Sequence, residues 1–371
     1  MKQFKVMPEI YILDDFAEFK ANFNISDRDL VITSEHIWKN YFSDINQGEN
    51  IVFIRKYGSG EPTDKMVHDI CKDIEGVEYD RVIGIGGGTV LDVAKLFVLK
   101  DMVPINKLFY KEKPAIKEKE LVLLPTTCGT GSEVTNISIL ELISDGTKLG
   151  LAVDELYADS AVLVKEALEG LPFSAFGTSS MDALIHGVES FLSPKATPFS
   201  KTFSVKAIEM ILDGYMAIAK DGEEKRKDML EQFMLASTYA GIGFGNAGCG
   251  TVHAMSYPIG ATYHVPHGEA NYSVFMEVLN TYKRIAPKGK LEELNKLFAT
   301  ILGCEIDIVY EEIEKLLNNI VPRKRLSEYG MTKEEVKTFT ESIIEKQQRL
   351  LSNSYVPLSY EDYVGIYKGC L

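Results

Sequence analysis

A chain of 371 residues with 45% hydrophobic and 25% charged side chains can bury one or two sizeable cores, which excludes disordered, collagen-like and membrane-spanning classes. The formal charge of −14, from 40 Lys and Arg against 54 Asp and Glu, repels a phosphate backbone and argues against nucleic acid as a partner. Five scattered cysteines with no CxxC pair make no disulfide framework and fit a reducing cytoplasm; without a long apolar run, no membrane association is expected.

From about residue 29 to 165, short apolar runs alternate with helical patterns. The runs are Leu30-Val31-Ile32, Ile51-Val52-Phe53-Ile54, Val82-Ile83-Gly84-Ile85, Leu121-Val122-Leu123-Leu124 and Ala161-Val162-Leu163-Val164. That alternation predicts a parallel α/β sheet of the doubly wound kind. Between the second and third runs, Thr63 caps a helix in which Met66, Val67, Ile70, Cys71 and Ile74 repeat at helical spacing, so Ile51 to Ile85 reads as a βαβ unit. After about residue 173 the strand signals fade into helical periodicity, as in Phe203–Leu212 and Leu291–Leu302. The join is placed at Gly170-Leu171-Pro172, giving an α/β domain over 1–173 and an all-helical domain over 174–371.

Gly86-Gly87-Gly88-Thr89 directly follows the Val82–Ile85 strand and opens a helix with Asp92 and Lys95. Bare backbone amides at a helix N-terminus make a phosphate cradle, although the spacing is not the GxGxxG fingerprint. A second loop, Pro125-Thr126-Thr127-Cys128-Gly129-Thr130-Gly131-Ser132, follows the Leu121–Leu124 strand and adds hydroxyl donors. Both loops sit where open α/β sheets bind ligands.

The sharpest signal is Asp182-Ala183-Leu184-Ile185-His186, whose acid and imidazole share one helical face, with Ser179 or Ser180 expected as the cap. His253 and His267 lie fourteen residues apart further on, and four of the six histidines in the chain (His186, His253, His264 and His267) fall in these segments. Asp182, His186, His253 and His267 form a three-nitrogen, one-oxygen set suited to a divalent metal, Fe(II), Zn or Mn. His36 and His68 are expected at the surface.

These motifs, in this order and nearly spanning the chain, resemble the iron-containing (group III) alcohol dehydrogenases. The resemblance implies a dinucleotide-binding α/β domain, a helical metal domain, and NAD(P)-dependent interconversion of small alcohols and aldehydes by a homodimer. By matching position it makes Asp182, His186, His253 and His267 the metal ligands. It makes Gly87, Gly88, Thr89, Thr126, Thr127 and Lys148 the contacts to NAD. Within the family, Pro266–Tyr272 and Gln347–Leu351 are most similar to members that reduce succinate semialdehyde with NADH, and that reaction is the expectation. The alternatives are a simple alcohol or diol dehydrogenase and a non-catalytic nucleotide or metal sensor.

Three positions depart from the family pattern. Tyr257 stands four after His253, where many members carry a histidine that relays protons; His267, Tyr257 and His264 are therefore the candidate catalytic residues. Ser34 replaces an aspartate frequent in NAD-preferring members, with Glu35 beside it. Glu61 stands where an asparagine contact is frequent. No basic residue lies inside the metal motifs to meet a substrate carboxylate.

Overall fold

The computed structural model describes residues 3–45, 50–143 and 146–371. It divides into two compact units, Val6–Leu171 and Pro172–Leu371, with the segment up to Lys5 belonging to the second. The sequence had placed that segment with the sheet. Instead the Phe4 ring stacks 5.6 Å from Phe199, and the Lys5 backbone exchanges hydrogen bonds with the Asn246 side chain at 2.6 and 2.9 Å.

The first unit is built on a six-stranded, all-parallel sheet. Its strands are β1 (Glu9–Leu13), β2 (Asp29–Thr33), β3 (Ile51–Phe53), β4 (Arg81–Gly86), β5 (Glu120–Pro125) and β8 (Ser160–Val164), in the order β3-β2-β4-β5-β8-β1. Each central strand is apolar on both faces because helices cover both. Leu30, Ile32, Val82, Leu121 and Leu123 point into one core, and Val31, Ile83, Ile85, Val122, Leu124, Val162 and Val164 into the other. That two-sided burial is why the strands read as unbroken hydrophobic runs.

The expected βαβ unit exists, and Thr63 caps its helix Asp64–Asp73 through the Met66 amide at 3.1 Å. Its strands β3 and β4 are not neighbours, because β2 pairs with both. The chain thus reverses direction across the sheet beside β4, a switch point of the kind that binds ligands. Two features escaped the sequence reading. Strand β1 lies at the edge with Ile10 and Ile12 exposed, so it carries no buried pattern. The antiparallel hairpin β6 (Ile137–Leu142) and β7 (Thr147–Ala152) was signalled only by alternating apolar residues around Asp145-Gly146.

The second unit contains no strand among the described residues. The helices Phe173–Leu192, Pro198–Asp221 and Leu230–Ala247 pack side by side; Thr251–Tyr263 and His267–Ile285 follow, then shorter helices up to Tyr360–Cys370. No helix of the described residues is long and apolar enough to cross a membrane. Ser179 and Ser180 do not cap the first of these helices. It starts six residues earlier, at Phe173, and both hydroxyls turn back to the Phe176 carbonyl inside it.

Candidate active site

Three helices of the second unit bring their side chains to one point. Asp182 and His186 share a face of Phe173–Leu192, with Asp182 Oδ1 3.8 Å from His186 Nε2. His253 lies in the first turn of Thr251–Tyr263, and its Nε2 is 3.4 Å from the same oxygen. His267 opens the helix His267–Ile285, its Nε2 3.6 Å away. Gly268 allows this approach, since a Cβ there would sit 1.8 Å from the Thr178 carbonyl oxygen.

Donors held tetrahedrally at about 2.1 Å from a metal are about 3.4 Å apart, close to the three spacings from Asp182 Oδ1. Asn271, fully buried, shows the same need in another way. Its Nδ2 is 2.8 Å from Asp182 Oδ1, 3.2 Å from His253 Nε2 and 3.3 Å from His267 Nε2, while its Oδ1 has no partner. Lone pairs converging on one amide, with an orphaned oxygen beside them, fit a site built for a cation. Asp182, His186 and His253 are buried, whereas the His267 side chain is 32% exposed, so the open side of the cluster is at His267.

The surroundings extend the cluster. The Cys249 sulfur, His186 and His253 also have potential ligand atoms within 4.8 Å of one another. Burial pushes the Cys249 thiol well above its ordinary pKa, helped by Glu189 and Asp182 and opposed by the charge of Arg349. The Tyr257 ring lies 5.9 Å from that of His267. His264 is exposed at the end of the helix Thr251–Tyr263 in the left-handed conformation, φ 54°, and no hydrogen bond or ring contact joins it to the cluster among the described residues.

Burial raises the Asp182 carboxyl, but His186, His267 and the hydrogen bond with His253 outweigh it and hold the group well below the usual carboxylate range. For His253, burial disfavours the charged ring, yet hydrogen bonds with Asp182 and Glu189 push its pKa up to about 9. A ligand nitrogen must shed its proton, so cation binding below about 9 displaces one from His253. The apparent affinity for Zn(II) is accordingly expected to rise up to ~10-fold per pH unit from near neutrality and then level off. Chelator competition across that range measures it, and a flat profile would contradict this assignment.

In the first unit, the glycine loop and the threonine loop meet at the carboxyl ends of β4 and β5. Gly87 precedes the helix Gly88–Leu96 with no side-chain cap, leaving the helix N-terminus to another acceptor. A Cβ on Gly88 would lie 2.7 Å from Thr130 Cγ2, so the second loop closes directly over the first. The Thr126 amide bonds the Gly86 carbonyl at 3.0 Å, and the Thr89 hydroxyl donates to Gly60 at 2.9 Å. Beneath the loops, buried Lys95 donates to Ser132, Thr135 and the Ile137 carbonyl at 2.7, 3.1 and 2.7 Å, and Ser132 donates to Asp92 at 2.6 Å. Lys148, in β7, forms an ion pair with Glu61.

Residues 176–371 match the C-terminal part of the Fe-containing alcohol dehydrogenase family, and residues 7–164 match the iron-containing alcohol dehydrogenase family. The chain belongs to the iron-containing alcohol dehydrogenase family. It is 50% identical over 368 residues to the 4-hydroxybutyrate dehydrogenase of Clostridium kluyveri, covering 99% of both chains. It is 33% identical over 302 residues to long-chain-alcohol dehydrogenase 1 of Geobacillus thermodenitrificans, covering 78% of this chain and 75% of that one. In fold it is similar to sulfoacetaldehyde reductase from Bifidobacterium kashiwanohense, solved in complex with NAD+. The TM-score is 0.83 at 22% identity, covering 100% of this chain and 98% of that one.

Two members of this iron-containing dehydrogenase's cluster were not singled out from sequence. Glu189 follows His186 by one turn on an otherwise apolar stretch, and Asn271 follows His267 by four, on the same helical face. A polar group at helical spacing from a candidate ligand was the available signal. Arg349 was noted only as part of a similar stretch. Its helix Gln348–Leu351 packs through Leu350 and Leu351 on the cluster of Cys249, Ala254 and Tyr257.

Proposed function

We propose that this chain is a metal-dependent, NAD(H)-linked dehydrogenase that interconverts succinate semialdehyde and 4-hydroxybutyrate. The observation that carries the reading is the 50% identity, end to end, with a 4-hydroxybutyrate dehydrogenase. A divalent cation held by Asp182, His186, His253 and His267, whether iron(II), zinc or manganese(II), supplies Lewis-acid polarisation of a carbonyl oxygen. NAD(H) supplies or accepts the hydride.

The chain's own residues do the rest. The amides at Gly87, Gly88 and Thr89 receive the pyrophosphate, flanked by Thr126 and Thr127; Lys148, tied to Glu61, borders that site. Glu35, exposed in the first turn after β2, repels a 2′-phosphate and favours NAD over NADP. Tyr257 beside His267 exchanges the alcohol proton, and His264, exposed at the end of the Tyr257 helix, passes it to solvent.

Arg349 meets the substrate carboxylate. Its guanidinium forms no ion pair among the described residues. One Asn353 amide bonds both the Cys249 and Arg349 carbonyls, at 3.0 and 3.2 Å, which ties Arg349 to the edge of the metal cluster. The free cysteines suit a reducing cytoplasm. Exposed Met7, Ile10 and Ile12 on the unpaired edge at β1 suit a homodimer.

The test is NADH oxidation by the Fe(II)-loaded protein with succinate semialdehyde and butyraldehyde in parallel, and NADPH as the cofactor control. Metal-dependent turnover selective for succinate semialdehyde is expected, with Arg349→Ala raising KM for it ~10-fold or more and leaving butyraldehyde unaffected. Equal efficiency on both aldehydes would leave a simple alcohol dehydrogenase.

A further inference from the structure

Glu189 and Asp182 are the two acids of the helix Phe173–Leu192. Glu189 is 6% exposed and has no Lys or Arg partner among the described residues. A buried carboxylate of that kind is costly unless donors compensate it. Three do. Oε1 accepts from the Val252 amide at 2.6 Å; Oε2 accepts from the Gly250 amide at 3.0 Å and lies 2.6 Å from His253 Nδ1. All three belong to the first turn of the helix Thr251–Tyr263, whose own N-cap, Gly250, offers no side chain.

We propose that Glu189 is the positioning residue of the metal centre, holding His253 in the one tautomer and orientation that turn Nε2 toward Asp182. An ionised carboxylate only accepts hydrogen bonds, so His253 Nδ1 must be the donor. Once a cation displaces the second ring proton, the other nitrogen presents its lone pair to the cluster, 3.4 Å from Asp182 Oδ1. The opposite tautomer would aim an N–H at the same point and bar a cation. By clamping the Gly250 and Val252 amides, the same carboxylate also sets where the helix begins, and with it the His253 Cα. This inference rests on the metal-binding reading above.

Glu189→Gln separates charge from shape. The amide has one accepting oxygen, yet three N–H groups converge on two oxygen positions. Turned one way its NH2 confronts the Val252 amide; turned the other, it confronts the Gly250 amide and drives His253 to the wrong tautomer. Full-length wild type and Glu189→Gln would be titrated with Co(II) and Zn(II) at neutral pH. The variant is expected to bind Zn(II) ~10–100-fold more weakly and to show an altered Co(II) visible spectrum, with NADH binding unchanged.

Wild-type Zn(II)-loaded protein with 15N-labelled histidine is expected to show one strongly downfield Nδ1–H proton, absent in the variant. That spectrum decides the matter even if the variant does not fold. A variant with wild-type Zn(II) affinity and Co(II) spectrum, or a wild-type His253 with no proton on Nδ1, overturns the role of Glu189. A wild type that binds neither ion overturns the metal-binding reading itself.

Discussion

Asp182→Ala is expected to lower turnover of succinate semialdehyde by roughly a thousandfold or more, because several kcal/mol of transition-state stabilisation depend on the cation being held. Its Oδ1 is the atom to which the other donors are referred, at 3.4, 3.6 and 3.8 Å from His253, His267 and His186. It is also the one anionic donor of the set. Without it, three neutral imidazoles would have to hold a divalent ion with no charge compensation. Metal content per chain should therefore fall with activity. NADH affinity should not change, because the glycine and threonine loops belong to the sheet unit. Elemental analysis, NADH fluorescence titration and kcat on the same preparation measure all three. A metal-replete, fully active Asp182→Ala protein would refute the ligand set.

Gly268→Ala is expected to destabilise the protein by ~4 kcal/mol or more, at the upper end for a single methyl group. The added carbon would lie 1.8 Å from the Thr178 oxygen, 2.8 Å from its carbonyl carbon and 3.2 Å from the Asp182 amide. All three are backbone atoms in the middle of a 20-residue helix, so no side chain can swing aside. The two helices must separate, and the separation carries His267 away from Asp182. Loss of metal should accompany the loss of stability. Gly365→Ala is the control: it lies in the helix Tyr360–Cys370 with nothing within 4 Å of the new carbon. There alanine should be neutral or stabilising by up to ~1 kcal/mol. Denaturant unfolding of the two variants side by side tests the contrast, and equal stability would remove the steric argument.

Much of this molecule was legible in its residues because the underlying physics is local. Strands covered on both faces need apolar residues at successive positions, so the runs at Leu30, Val82, Leu121 and Ala161 announced the parallel sheet. A helix puts residues four apart on one face, so Asp182 and His186 declared themselves a pair. Glycines after a strand marked the loops, since bare amides require them.

The remainder depends on chain segments far apart in sequence. That β2 lies between β3 and β4 reflects how the sheet is wound, which neither strand encodes alone. Strand β1 buries little, so it had no pattern to read. Glu189 became a partner of His253, 64 positions away, and Asn271 a neighbour of Asp182, 89 positions away, only when three helices packed together, two of them in backbone contact at Gly268. The same packing left His264 at the surface and brought Tyr257 to His267, although in sequence His264 stood three residues from a ligand and Tyr257 four. Side-chain chemistry and helical spacing nominate ligands one element at a time; only close packing between helices selects which of them share a cation.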